Sequence, residues 1–259
     1  MSKQVQFPDY KGRILAGLLD TPADKPNFPL VILMHGNPGW KEEPHLETLA
    51  HALAREGIGA LRFDAPGLGA SQGTWADDYR ASNFISAISD ATDFAGSVPG
   101  VDSSKIALWG HSMGGMAVLV AASRNQGKYV AVCGSEPATG QKDIDPEELS
   151  EWKRTGYKHI KSDHHGDFHL PYAFYEDRIQ YDTEKEVVAL KLPVLFIAGT
   201  TDNLVESSSV HRAYLAAVGP KQYLELPMDH FYKRHKNLLE VVNAHTLTFF
   251  QTVFQGPSS

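Results

Sequence analysis

The chain has 259 residues, 42% of them hydrophobic and 21% charged, with a formal net charge of −7 at neutral pH. That length and apolar content suit one large α/β domain, or a domain with an insertion, and argue against disorder. The acidic balance argues against binding to a phosphate backbone, which needs a basic face, so no nucleic-acid partner is expected.

In chain order, Arg13 to Leu19 reads as a strand ended by Asp20-Thr21-Pro22, and Asp24 to Pro29 as a polar, proline-containing loop. Leu30 to Met34 is a continuous apolar run, as expected of a strand buried on both faces, and it ends in His35-Gly36-Asn37-Pro38-Gly39-Trp40. Leu46, Leu49, Ala50, Leu53 and Ala54 recur at helical spacing until Gly57. Ile58 to Phe63 is another buried strand, followed by the turn Asp64-Ala65-Pro66-Gly67-Leu68-Gly69. Phe84, Ile88, Ala91 and Ala95 mark a helix face, Ile106 to Trp109 a strand, Met116 to Ala122 a helix, and Tyr129 to Cys133 a short strand.

After Pro137 the texture changes. From Gln141 to Lys191 the chain is polar, rich in histidine and aromatics, and has no buried-strand run. Strand texture resumes at Pro193 to Ala198. A helix on Val210, Ala213, Tyr214 and Ala217, a strand at Tyr223 to Leu226 and a closing helix from Leu238 to Phe250 complete the chain. Val253 to Ser259 resembles a viral-protease tag-removal site and is set apart from the fold. Alternating strands and helices predict a mostly parallel central sheet with helices on both faces. The long interruption predicts an inserted cap. The expected division is a core of 1–136 and 192–252 with a cap of 137–191.

Gly110-His111-Ser112-Met113-Gly114 fits the G-x-S-x-G elbow, in which a serine on a sharp strand-to-helix turn is thrust above the sheet edge. A serine hydroxyl needs a general base, and the base needs an orienting acid. In open α/β sheets such groups come from loops at the carboxyl ends of strands. Asp202, in Gly199-Thr200-Thr201-Asp202, is the carboxylate close to one strand end; the rival Glu206 lies toward the next helix. His230, after Pro227-Met228-Asp229, follows the last strand. His111, His35, His211 and His235 are less well placed, and Asp229 and Asp64 read as braces of their own loops. The order Ser112, Asp202, His230 is the α/β-hydrolase order.

On these residues the sequence resembles the α/β-hydrolase family from about Leu30 to Phe250. His35-Gly36-Asn37-Pro38-Gly39 is similar to its oxyanion loop, Asp64 to Ser71 to its D-x-x-G-x-G-x-S turn, and the Asp202 and His230 loops to its acid and histidine loops. Chain length, motif spacing and the position of the insertion resemble small cap-bearing serine esterases of the feruloyl (cinnamoyl) type, although Met113 stands where those esterases often carry Gln. The resemblance implies that Ser112 attacks an acyl carbonyl, His230 moves the proton and Asp202 holds the imidazole. Backbone N–H groups of Asn37 and Met113 would stabilise the oxyanion; Pro38 has no N–H to offer. The reaction implied is carboxylic ester hydrolysis without a cofactor, on aromatic, hydroxycinnamoyl or short acyl esters. A triad acting on amides, thioesters or carbon–carbon bonds is the alternative, as is a receptor that binds small molecules without turnover. Epoxide and haloalkane hydrolysis would need a carboxylate in place of Ser112.

Trp40, Tyr172, Phe174 and Tyr175 are candidates for the substrate wall, set against a plain packing role for the aromatics of the insertion. Lys161 to His169 holds three histidines and two aspartates, ligand types that suit zinc, but the spacing matches no named site and no metal is expected. The lone Cys133 reads as a small buried hydrophobe and forbids an internal disulfide. No apolar run approaches the ~18 residues of a membrane span, and the Met-Ser-Lys-Gln start lacks a secretory core, so a cytoplasmic protein without a membrane partner is expected. The aromatic cap offers a surface for a homodimer contact.

Overall fold

The computed structural model describes residues 2–23, 26–140, 144–162 and 164–256. Asp24 of the early loop, Gln141 at the start of the polar stretch, Asp163 of the histidine-rich run and the tail from Pro257 lie outside them. Eight strands form one sheet in the order β1 (Lys3–Pro8), β2 (Ile14–Asp20), β4 (Gly59–Phe63), β3 (Phe28–Met34), β5 (Val101–His111), β6 (Ala131–Ser135), β9 (Val194–Gly199) and β10 (Lys221–Leu226). The β1–β2 and β2–β4 pairs are antiparallel and the other pairs are parallel.

The strands β3 and β9 are apolar and buried along their whole length because both faces are covered. Leu30, Ile32 and Met34 of β3 join the cluster beneath α2 (Ala81–Ser97), α3 (Met113–Arg124) and α7 (Ser207–Ala216). Val31 and Leu33 point the other way, onto α1 (Pro44–Arg55) and α8 (Lys236–Gln255). Side chains alternate across a strand, so one apolar run supplies two cores. Each such side chain stabilises the fold by about 1.5–3 kcal/mol relative to exposure.

Two elements differ from the sequence reading. The edge strand β1 was not anticipated; in Lys-Gln-Val-Gln-Phe-Pro only Val5 and Phe7 turn toward the core, too short an alternation to stand out. The closing helix runs to Gln255, with Val253 and Phe254 packed on the core and Phe254 stacked on Phe250 at 6.1 Å. The boundary expected at residue 253 therefore falls inside a helix.

Between β6 and β9 the chain forms α4 (Pro146–Thr155), β7 (Tyr157–Ile160), β8 (Phe168–Pro171), α5 (Tyr172–Arg178) and α6 (Thr183–Glu186). β7 and β8 pair only with each other among the described residues. Trp152 is buried at the centre of this insertion and donates to Leu170 O at 3.0 Å. Its two ends are tied together: Gly140 N donates to Tyr181 O at 2.8 Å, and Thr183 Oγ1 to Ala138 O at 2.7 Å. A Cβ on Gly140 would sit 1.9 Å from Arg178 O, so no larger residue fits this neck.

Candidate active site

The loops that follow β3, β5, β6, β9 and β10 open at the same carboxyl edge of the sheet, and they carry Asn37, Ser112, Glu136, Asp202 and His230. Ser112 sits between β5 and α3 at φ +56° and ψ −119°. For a residue with a Cβ this conformation costs about 1–3 kcal/mol and persists only where the surroundings enforce it. Here they do. Ser112 N donates to Ser135 O at 2.9 Å, and Ser112 O accepts from Met116 N and Ala138 N at 3.1 and 3.0 Å. The turn is also too tight for flanking side chains, since a Cβ on Gly110 would lie 2.2 Å from Gly114 O and one on Gly114 2.3 Å from His35 O.

The Ser112 hydroxyl lies 3.0 Å from His230 Nε2, and His230 Nδ1 lies 2.7 Å from Asp202 Oδ2. An ionised carboxylate can only accept, so Nδ1 carries the proton and Nε2 is left to accept from the serine. The other Asp202 oxygen accepts from Leu204 N and Val205 N at 2.7 and 2.8 Å. Burial works to raise the Asp202 carboxyl, but the His230 hydrogen bond and charge and these two N–H groups outweigh it and hold it below the usual range.

Ser112 faces a cavity of about 400 Å³ that Asn37, Met113, Ala138, Thr139, Arg178, Leu204, Val205 and His230 help to line. Met113 is the first residue of α3, where the N–H has no intrahelical partner. Among the described residues neither its N–H nor that of Asn37 donates to another protein group. The Asn37 side chain accepts from the Tyr79 hydroxyl.

The sequence profile of the Alpha/beta hydrolase family matches residues 31–230. The chain belongs to that family. The thiohydrolase apmlB of Arthrinium phaeospermum is 31% identical over 144 residues, which cover 51% of this hydrolase-family chain and 43% of apmlB. The curated relatives it matches are longer: alignments cover between 40% and 61% of their lengths. Among solved structures, Est1E from Butyrivibrio proteoclasticus with ferulic acid bound superposes with a TM-score of 0.82 at 23% identity, over 97% of this chain and 100% of that one. The alpha/beta hydrolase GrgF from Penicillium sp. sh18 gives 0.85 at 19% identity, over 99% and 100%. At these identities the likeness is one of fold.

In this alpha/beta hydrolase the remaining titratable groups sort by burial. His35 is enclosed, lies 2.8 Å from Gly36 O through Nδ1 and accepts from Ala65 N at 3.0 Å through Nε2; burial pushes its pKa down to about 4, which keeps it neutral. Asp64 braces the turn after β4 by accepting from Lys41 N at 2.8 Å, Lys41 Nζ at 2.7 Å and Ala70 N at 2.9 Å. Asp229 accepts from Phe231 N at 2.9 Å, within its own loop. His111 is buried against Glu136, while His211 and His235 are exposed.

Glu136 was not singled out in the sequence. It follows β6 at φ +45°, is buried, and places Oε2 3.1 Å from His111 Nε2 and 3.9 Å from His230 Nδ1. A Cβ on Gly199 would lie 2.7 Å from its Oε1, so the acid loop leaves space for this carboxyl. Burial pushes Glu136 up to about 10, and the neighbouring Asp202 charge acts the same way. Two carboxyls thus sit behind one imidazole, one ionised and one neutral. His111, Glu136 and His230 bring three ligand atoms within 4.8 Å of one another, but both nitrogens of His230 already face Ser112 and Asp202.

The four aromatic candidates for the substrate wall lie elsewhere than the lining of the Ser112 cavity. Phe174 is buried and stacks on Tyr79 at 5.2 Å; Tyr172 and Tyr175 pack on Trp152 at 6.0 and 5.8 Å. Trp40 stacks on His164 at 3.6 Å. The Phe174–Tyr79 and Trp40–His164 stacks join the insertion to the body, and Tyr172 and Tyr175 pack on Trp152 within the insertion. The histidine-rich run takes part in it: His165 Nε2 lies 3.1 Å from Gly39 O, and His159 lies 3.3 Å from Asp167. Asp163 of that run is outside the described residues.

Proposed function

We propose that this chain is a serine carboxylic ester hydrolase that works through an acyl-enzyme. The observation that carries the reading is the chain of short contacts from Ser112 Oγ through the His230 ring to Asp202, at the wall of an open cavity. Ser112 attacks the ester carbonyl as His230 Nε2 takes its proton. The carbonyl oxygen becomes an oxyanion beside the free N–H groups of Asn37 and Met113, each worth about 3 kcal/mol when preorganised. His230 then gives the proton to the departing alkoxide, and the acyl group stays on Ser112. A water molecule, deprotonated by His230, repeats the attack and releases the acid. Asp202 holds the imidazole tautomer and stabilises the imidazolium.

Aromatic or hydroxycinnamoyl esters are the first substrates to try, since the Est1E neighbour was solved with ferulic acid bound. Thioesters are the second reading, favoured by relatives named thiohydrolases. A fluorophosphonate probe tests the core of the proposal. Labelling mapped to Ser112 is expected, and an inert Ser112 would favour a binding protein without turnover. A panel of matched ester, anilide and thioester, with acyl chains of varied length and aromaticity, then ranks the substrates.

A further inference from the structure

Arg178 ends α5 and forms part of the wall of the cavity that holds Ser112. One guanidinium nitrogen donates to Thr139 O at 3.2 Å. Among the described residues no carboxylate lies within ion-pair distance of the half-buried Arg178, whereas the half-buried Arg13 and the buried Arg62 each meet one. Burial lowers the Arg178 pKa, and the nearby phenols of Tyr79 and Tyr175 give only partial compensation. A guanidinium has five N–H donors in a planar fork. Partly withdrawing its charge from water without a counter-charge is unfavourable, and an anion arriving in the cavity would relieve that cost.

The other charges on this cavity are arranged differently. Arg212 also lines it but is half-exposed and meets Glu184 at 3.2 Å. Glu206 is exposed at the same wall and accepts from Ser208 Oγ at 3.2 Å. The Arg212–Glu184 pair and the exposed Glu206 therefore stand toward solvent, and the half-buried Arg178, with no carboxylate partner among the described residues, stands on the wall it shares with Ser112.

We infer that Arg178 is a specificity-determining residue that receives a carboxylate carried by the substrate, so that the preferred esters are anionic. The fork geometry suits a bidentate carboxylate. This inference rests on the proposed ester hydrolysis, because it assigns a substrate class to the same cavity.

The test compares matched esters in the wild type, Arg178→Met and Arg178→Lys. On the acyl side the pair is the nitrophenyl monoester of adipic acid and nitrophenyl hexanoate, with the amide-ended analogue of the former as a neutral acceptor. On the alcohol side the pair is acetoxybenzoate and phenyl acetate. In at least one arm the ratio of kcat/KM for the anionic ester to that for its neutral match should fall about tenfold or more in Arg178→Met, and less in Arg178→Lys. The arm that responds identifies which half of the ester bears the carboxylate. Ratios that stay the same in both arms, or an amide-ended analogue that behaves as the adipate does, overturn the inference while leaving ester hydrolysis standing. If Arg178→Met does not fold, the ratio in Arg178→Lys decides. Should no ester be turned over, the hydrolase reading fails on its own. Calorimetric binding of monomethyl adipate to Ser112→Ala, lost when Arg178→Met is added, would then still support the anion site, and absence of binding would overturn it.

Discussion

The sheet's carboxyl edge and the insertion between β6 and β9 share one cavity but are built on different terms. At the edge, each group is fixed by backbone: a strained serine pinned to Ser135 and Ala138, an aspartate held by two N–H groups, glycines that admit no Cβ. In the insertion, rings hold rings, and Arg178, which lines the Ser112 cavity, is set by where α5 lands. Backbone constraint preorganises a reaction, whereas side-chain packing sets the shape and charge of what enters. Changes at the edge should therefore alter rate, and changes in the insertion should alter stability or preference.

Mutants can break that division or sharpen it. The largest effect is expected from Ser112→Ala, which should lower kcat on a chromogenic ester by about 10⁶-fold. Wild-type turnover in that variant would remove the nucleophile from its role. Asp202→Asn should cost about 10⁴-fold, because the amide favours the wrong imidazole tautomer. A loss of only a few-fold would mean that Glu136 can serve His230 instead, and steady-state kinetics decides between them. Phe174→Ala should destabilise the fold by about 3–5 kcal/mol, since it empties a fully buried site stacked on Tyr79. Urea unfolding measures this; unchanged stability with altered KM would return Phe174 to the substrate wall.

The last test, which touches no rate, concerns Glu136→Gln. The folded chain holds the Glu136 proton up to about pH 10, and the unfolded chain releases it near about pH 4.3. Between those values the folded state carries one more proton, so this group's contribution to stability falls as pH rises, by up to about 1.4 kcal/mol per unit. The Gln variant lacks that contribution. Its unfolding free energy should fall less steeply than wild type between about pH 5.5 and 8.5. Parallel curves would show that Glu136 is ionised.

What could be read in the sequence follows the same division. Gly110, Ser112 and Gly114 stand out because a tight elbow tolerates few residue types, and chain order selects His230 from 12 histidines. The α/β architecture was legible because strands buried on both faces, such as β3 and β9, leave continuous apolar runs. Glu136 was hidden because its meaning depends on β6 lying beside β9, a neighbour distant in the chain. The available signal was a lone acid directly after a buried strand and before Pro137. The aromatic spacing of 172–175 showed that rings cluster but not which way α5 turns, so Tyr172, Phe174 and Tyr175 were favoured and Arg178 was passed over.

The tied neck of the insertion has a consequence for descent. Ala138 is bonded both to the nucleophile's carbonyl and to Thr183 at the far end of the insertion, and Gly140 closes onto Tyr181. Everything between those ties hangs from a joint that is already shut. Lengthening, trimming or exchanging such a segment by grafting should leave Ser112 in its pose, so that what the cavity admits can change while the elbow stays as it is.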